Sequence, residues 1–167
     1  MSSYQQVQKI IREITDDVYP GIEVLFQEIK TLKKSLEDTE HLDVAFDIFD
    51  GLKAEVQSLK NYELKLVFPG VEKYYGEMER VLPQHIRINE LHDLLRKKEE
   101  CVKDKIIDLE VEIEENGEAT VLNELVTFFK DNYFCRKDAF YRCIAKLQKE
   151  RTASGDKDVI VEDSLPA

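Results

Sequence analysis

The sequence is poor in residues that interrupt helices or start a membrane span. It has six glycines, four prolines and no tryptophan in 167 residues, so long stretches carry nothing that breaks a regular backbone. It has no apolar run of the roughly 18 residues that a membrane-spanning helix needs. The N-terminus also lacks the basic start and apolar core of a secretory signal. We therefore predict a cytoplasmic protein with no membrane partner.

Basic residues and cysteines are scarce as well. Lysine and arginine together number 24 against 35 aspartates and glutamates, which gives a formal net charge of -11. A charge of this sign repels nucleic acid and anionic lipid at long range, so we expect no nucleic-acid partner. The chain has three cysteines, an odd number. Cys135 and Cys143 lie about two turns apart on one predicted helix, too far for a disulfide, so we expect reduced thiols.

The sequence does have clear helical periodicity. Apolar residues recur at intervals of three and four, which is the spacing of one buried helix face. Four such stripes follow one another along the chain: Val7 to Leu36, Ala45 to Val67, Ile88 to Ile113, and Leu122 to Leu147. Short connections between long helices favour antiparallel neighbours. The predicted fold is all-α, an antiparallel up-down four-helix bundle.

Two prolines fall within these stripes. Pro20 removes a backbone donor and disfavours helix at the preceding residue, so it predicts a kinked or broken first helix with an extra N-terminal segment. By the same reasoning, Pro69 predicts that the second helix ends at Phe68-Pro69-Gly70. We expect the helical domain to cover residues 1–151. Residues 152–167 lose the helical period, and we expect them to form a flexible acidic tail.

Polar residues that interrupt a buried stripe mark candidate internal sites, because bundles build such sites from inward-facing side chains. On the second helix, Glu63 follows the buried spacing of Leu59. On the fourth helix, Asn132 and Arg136 lie one turn apart and also follow the buried spacing. A buried arginine needs a partner, because its charge is not easily shed.

The three histidines are the remaining candidate site residues. His85 and His92 lie one turn before and one turn after Ile88, so both flank the buried stripe of the third helix. His41 begins the second helix, and we expect it to be exposed. Two interpretations of His85 and His92 stay open: half-exposed helix residues, or metal ligands.

The end of the second helix resembles the hemerythrin-like family. The segment Leu59-Lys-Asn-Tyr-Glu-Leu-Lys-Leu-Val-Phe-Pro69 is similar to the family's His-x-x-x-Glu pair followed by Leu-Phe-Pro, with Glu63 in the glutamate position. Gln84-His85 is similar to the Glu-His that opens the family's third helix. Asn132 and Arg136 stand where its fourth helix carries ligands. The resemblance covers roughly residues 14 to 147. It implies a bundle of the type that holds a di-iron centre with several histidines and bridging carboxylates.

The chain has only three histidines, so it cannot supply the ligand set that the resemblance implies. We therefore predict a non-enzymatic member that has lost its di-iron centre and binds no cofactor. It would serve as an interaction or signalling module for an unknown protein partner or as a homodimer. We hypothesise that Glu63 pairs with Arg136, whose fixed charge replaces the metal. Asn132, His85 or a tyrosine would complete the polar network.

Two alternative functions stay open. In the first, an altered iron site built from His85, His92, Glu63 and His41 senses oxygen, nitric oxide or redox state. In the second, the family resemblance is accidental, and the chain is an acidic helical adaptor whose partner is another helix.

Overall fold

The computed structural model describes residues 1–37, 40–76, 88–116 and 120–153. Within these ranges the chain forms four long helices and no strand, which confirms the all-α prediction. None of the described helices is both long enough and apolar enough to cross a membrane. Helical structure continues to Ala153, past the predicted end of the domain at residue 151. Residues 154–167 lie outside the described residues, so the flexible tail stays a prediction.

Three of the four helices contain one π-helical turn. Helix α1 comprises Ser3–Glu13, the π turn Ile14–Val18 and Tyr19–Ser35. A short 3-10 turn, Glu40–Leu42, leads into α2, which comprises Asp43–Tyr62, the π turn Glu63–Val67 and Phe68–Gly76. Helix α3 is Ile88–Asn116 and is regular throughout. Helix α4 comprises Thr120–Phe128, the π turn Phe129–Tyr133 and Phe134–Ala153.

A capping box begins α1. The Ser2 hydroxyl accepts a hydrogen bond from the Gln5 backbone N–H at 3.1 Å, and the Gln5 side-chain oxygen accepts one from the Ser2 N–H at 2.9 Å. These bonds satisfy two of the backbone donors that every helix start leaves without an intrahelical partner.

Helices α1 and α4 run antiparallel. Ser3 at the start of α1 donates a hydrogen bond to Glu150 near the end of α4, at 2.7 Å. Further along, Gly21 of α1 meets Phe128 near the start of α4. A Cβ at Gly21 would lie 2.6 Å from the Phe128 ring, so only glycine permits this close approach.

Helices α2 and α3 also run antiparallel. Gly51 lies beside the Lys105 side chain, and further along α2 Ser58 accepts a hydrogen bond from Lys98 at 3.2 Å. Buried apolar side chains from all four helices form one hydrophobic core. The spacing of the stripes predicts most of these core residues.

The π turns of α1 and α2 each lie directly before a Pro-Gly pair. The sequence around the two is alike: Val18-Tyr-Pro-Gly-Ile-Glu23 and Val67-Phe-Pro-Gly-Val-Glu72. In each, the backbone N–H of the residue before the proline donates a hydrogen bond to the carbonyl five residues earlier: Tyr19 to Ile14 and Phe68 to Glu63.

These turns explain why the predicted helix breaks are absent. In a regular α-helix a proline ring clashes with the carbonyl four residues earlier, whereas the wider π turn moves that carbonyl aside. Helix α1 therefore continues through Pro20, and α2 continues through Pro69 to Gly76. The prediction that the second helix ends at Phe68-Pro69-Gly70 was wrong, and where a kink or a break was expected at Pro20 the helix continues after a π turn.

Candidate functional site

Glu63 lies in the interior of the bundle and is fully buried, as its spacing predicts. It is the first residue of the α2 π turn. A buried carboxylate without compensation costs far more free energy than an exposed one, so it requires a cation and hydrogen-bond donors. The neighbouring helices supply both.

Lys137 is the cation. Its Nζ forms a hydrogen-bonded ion pair with both carboxylate oxygens of Glu63, and its side chain is only 2% exposed. The same Nζ lies 2.9 Å from the Tyr19 hydroxyl oxygen and 2.9 Å from Glu99 Oε1. The Tyr19 hydroxyl in turn donates to Glu63 Oε1. We refer to this cluster as the buried centre; it consists of Tyr19, Glu63, Glu99 and Lys137.

Each helix contributes one residue to the buried centre: Tyr19 from α1, Glu63 from α2, Glu99 from α3 and Lys137 from α4. The three helices with π turns place these residues at or just after the widened turn. Tyr19 follows directly after its turn, Glu63 begins one, and Lys137 comes one turn after Tyr133, the last residue of the third. Such π turns are often found at functional sites, because the extra residue re-aims a side chain.

Two tyrosine rings flank the lysine ammonium. Lys137 Nζ lies 5.2 Å from the ring centroid of Tyr19 and 4.9 Å from that of Tyr133. Cation–π attraction of this kind strengthens when the cation is removed from water. The Tyr133 hydroxyl and Glu99 Oε2 are also buried, and an interaction between the Tyr133 hydroxyl and the Glu99 carboxylate favours the protonated phenol.

Burial controls the protonation of the buried centre. It raises the pKa of Glu63, because the charged form loses its hydration; Lys137 opposes this effect and the nearby Glu99 adds to it. Burial, followed by the charge of Glu63, raises the pKa of Tyr19 well above 10.0. Burial and then the charge of Glu99 do the same to Tyr133. Two carboxyl groups share one ammonium, which is a further reason why the pKa of Glu63 is raised.

Arg136 is not the partner of Glu63, and that prediction was wrong. Arg136 is half-buried, with its Nε 3.7 Å from the Glu13 carboxylate, and its guanidinium donates to Asn132 Oδ1 at 3.3 Å. The π turn adds one residue to α4. Tyr133, the last residue of the turn, lies in the core as part of the apolar stripe, and the next inward position is Lys137 rather than Arg136.

The described residues of the buried centre include no histidine. His41 lies exposed in the 3-10 turn before α2. His85 and the side chain of His92 lie outside the described residues, so their assignment to the polar network or to a metal site stays a prediction. In the part of the chain that the structure describes, no group of three or more His, Cys, Asp or Glu side chains could hold a metal ion.

Sequence reasoning missed Tyr19, Glu99 and Lys137 as site residues. For Glu99 a signal exists. The apolar stripe of the third helix has a gap of seven residues between Leu95 and Val102, and Glu99 stands four residues after the first and three before the second. A polar residue at the missing step of a buried stripe is aimed at the core.

The buried centre can hold a cation firmly, because carboxylates, a hydroxyl and two aromatic faces surround one position. No protein-family model, curated protein or solved structure matches this chain, so its membership of the hemerythrin-like family stays a prediction.

Proposed function

We propose that this chain is a non-enzymatic, metal-independent bundle of the hemerythrin-like type that serves as an interaction or signalling module. In it the Lys137 ammonium takes the position that a metal cation would occupy. The observation that carries this proposal is the bond from Lys137 Nζ to both oxygens of Glu63.

The donor set supports this role for the lysine. Both Glu63 oxygens and Glu99 Oε1 are already engaged by Lys137, so a metal ion would have to displace the ammonium to reach them. A divalent cation at the same place would also meet a fixed positive charge in a poorly screened interior. A lysine that belongs to the chain therefore replaces a ligand that the protein would otherwise need to acquire.

The outer face of α3 supports an interaction role. Ile107 and Val111 lie one turn apart and are 52% and 45% exposed. Asp104 and Asp108 lie beside them and are exposed as well. Two copies of so acidic a chain repel each other, so this face suits a different protein that offers apolar and basic side chains rather than a second copy.

Metal content tests the first part of the proposal. Untagged protein from iron-supplemented cells is analysed by plasma emission and ultraviolet-visible spectroscopy, and its thermal midpoint is measured with and without a chelator. We expect no stoichiometric metal and an unchanged midpoint, because the cation is covalently part of the chain. Stoichiometric iron with a midpoint lowered by the chelator would overturn the proposal and favour an iron-based sensor.

Capture from native lysate tests the second part. The wild type and the double variant Ile107→Asp/Val111→Asp are used as baits after crosslinking. We expect a basic protein that the wild type captures and the double variant does not, because the charged side chains remove the apolar contact. Equal capture by both baits would count against this surface.

A further inference from the structure

A cleft between α3 and α4 opens at the surface beside the buried centre. Its volume is about 470 Å³, within the usual range for small-ligand pockets. The rings of Phe134 and Tyr141 form part of its walls. At its inner end the Lys137 ammonium bonds Glu99 at 2.9 Å, so these two charges compensate each other. A ligand that enters the cleft therefore meets ring surfaces and the charged side chains around the opening.

The charge around the cleft is opposite in sign to that of the whole chain. Among the described residues, four basic and three acidic side chains line the cleft, whereas the sequence has 24 basic residues against 35 acidic ones. Arg96, Lys103 and Arg142 are exposed at the opening, and none of the three forms an ion pair in the part of the chain that the structure describes. Glu100 and Asp138 at the same opening reduce this positive charge without pairing with it. The cleft therefore favours a ligand with an anionic group.

Aromatic contacts hold two of these cations in place. The Arg96 guanidinium lies 5.6 Å from the ring centroid of Tyr141, and Lys103 Nζ lies 5.5 Å from that of Phe134. A ring face attracts a cation but, unlike a carboxylate, does not neutralise its charge. A guanidinium also presents its N–H donors as a planar fork that matches both oxygens of a carboxylate. Arg96 is thus held, still charged, in a position to bind a carboxylate beside an aromatic wall.

We propose that this cleft binds a small aromatic carboxylate. Arg96 and Arg142 bind the carboxylate at the Tyr141 end, and the aromatic body of the ligand packs against the rings of Tyr141 and Phe134. Lys103 lies two turns further along α3 and attracts the anion from the other end of the cleft. A small inorganic anion would leave the rings uncovered, and an uncharged aromatic molecule would leave both guanidinium groups without a counter-charge. Binding at this cleft does not depend on the loss of a metal centre.

Three probes separate the two parts of this recognition. 3-Phenylpropionate carries both the ring and the carboxylate, propionate only the carboxylate, and 3-phenylpropan-1-ol only the ring. Each is titrated into the whole ¹⁵N-labelled chain, and amide shifts in α3 and α4 are followed. We expect 3-phenylpropionate to shift amides around Arg96 and Tyr141. Each partial probe should bind at least about tenfold more weakly, because it loses either the charge-assisted contact or the apolar one.

Matched variants assign the carboxylate contact. Arg96→Gln and Arg142→Gln, both at exposed positions, are each expected to weaken 3-phenylpropionate about tenfold, and Arg142→Gln should leave 3-phenylpropan-1-ol unchanged. Lys97→Gln and Lys146→Gln are the controls, because they remove one exposed cation outside the cleft from each of the same two helices. Neither control should change the affinity. The proposal is overturned if 3-phenylpropionate shifts none of these amides at millimolar concentration, if either partial probe binds as tightly, or if a control weakens binding as much as Arg142→Gln.

Discussion

Two levels of this bundle hold together by different forces. At the apolar level the interior contains only apolar side chains: Phe26 and Phe49 pack edge to face at 5.4 Å, and Leu52 and Leu109 are fully buried. At the level of the buried centre, three helices carry π turns, and cohesion depends on one ammonium and two carboxyl groups. Hydrophobic burial is non-directional and independent of pH, whereas the buried centre depends on every partner and on its protonation.

Deleting one residue from a regular helix should destabilise the fold far more than deleting one residue from a π turn. Asp104 lies exposed in the regular helix α3. Its deletion rotates the following residues by about 100° and turns Ile106, Leu109 and Ile113 out of the core. Each buried apolar side chain contributes about 1.5–3 kcal/mol, so the loss approaches the whole stability of a typical domain. We expect no cooperative thermal transition by circular dichroism.

Deletion of Lys130 is the matched comparison. Lys130 is exposed and lies within the α4 π turn, which already contains one residue more than an α turn requires. Its removal turns the π turn into an α turn and leaves later core residues such as Phe140 facing inward. We expect a cooperative transition at a lower temperature. If both deletions abolish the transition, the π turn does not act as a one-residue insertion.

Removing the internal cation should give the next largest effect. Lys137→Met leaves Glu63 buried without its partner, and breaking a buried pair in this way costs about 3–5 kcal/mol. Arg136→Met changes the neighbouring residue, whose partly exposed pair with Glu13 contributes at most about 1 kcal/mol. Urea unfolding at neutral pH measures both variants.

A double variant separates pairing from packing. Glu63→Leu/Lys137→Met removes both charges and should recover much of the stability that Lys137→Met loses, because no charge is then stranded. Equal losses for Lys137→Met and Arg136→Met would restore Arg136 as a candidate partner and contradict the geometry described above.

The same contrast explains how far the sequence predicts this molecule. In the regular segments the three- and four-residue spacing of Leu, Ile and Phe identifies the inward face, because a regular helix has a single period. Past a π turn the inward-facing positions shift by one residue, and the spacing before the turn does not predict this shift. On α4 the spacing is compatible with either Asn132 or Tyr133 in the core, and it predicts Arg136 where Lys137 lies.

Part of this slip could be read from the sequence. The apolar stripe of α4 has a gap of seven residues between Tyr133 and Phe140, and Lys137 fills its missing step. The repeated Pro-Gly pairs after Val18 and Val67 mark the other two π turns, but a proline predicts a break equally well. What no pattern supplies is the pairing itself, because Tyr19, Glu63 and Lys137 lie far apart in the chain and meet only when all four helices pack.

The pH dependence of stability should distinguish the buried centre from the apolar level by a smaller amount. Burial raises the pKa of Glu63 above its ordinary value of 4.5. A carboxyl group with a raised folded-state pKa stabilises the fold most below its ordinary value, and this contribution is lost as the pH rises through the raised value. Urea titrations measure the free energy of unfolding of the wild type and of Glu63→Gln. The value for the wild type minus the value for the variant should therefore fall from pH 4.5 towards neutrality. A difference that grows with pH would show that Lys137 lowers this pKa instead. Leu52→Ala, at the apolar level, should give a constant difference.

The smallest expected effect concerns the tyrosines. Burial raises the pKa of Tyr19, Tyr133 and Tyr141 above 10.0, with the nearby carboxylates adding to it. The folded protein should therefore keep these three phenols protonated at pH values where the unfolded chain ionises them, and stability should be lost as the pH rises above 10.0 because the unfolded chain releases these protons. Tyrosinate absorbance in native buffer and in denaturant measures the number that titrate late.

Tyr133→Phe sharpens this test, because it removes one fully buried phenol whose hydroxyl interacts with the Glu99 carboxylate. The number of late-titrating tyrosines should fall by one, and stability at neutral pH should fall by about 1 kcal/mol, the usual contribution of one hydrogen bond. A much larger loss would mean that the hydroxyl has a further partner, for example a water molecule shared with Glu99. In that case internal hydration as well as Lys137 would satisfy the buried centre, and its contrast with the apolar level would be stronger than the side chains alone indicate.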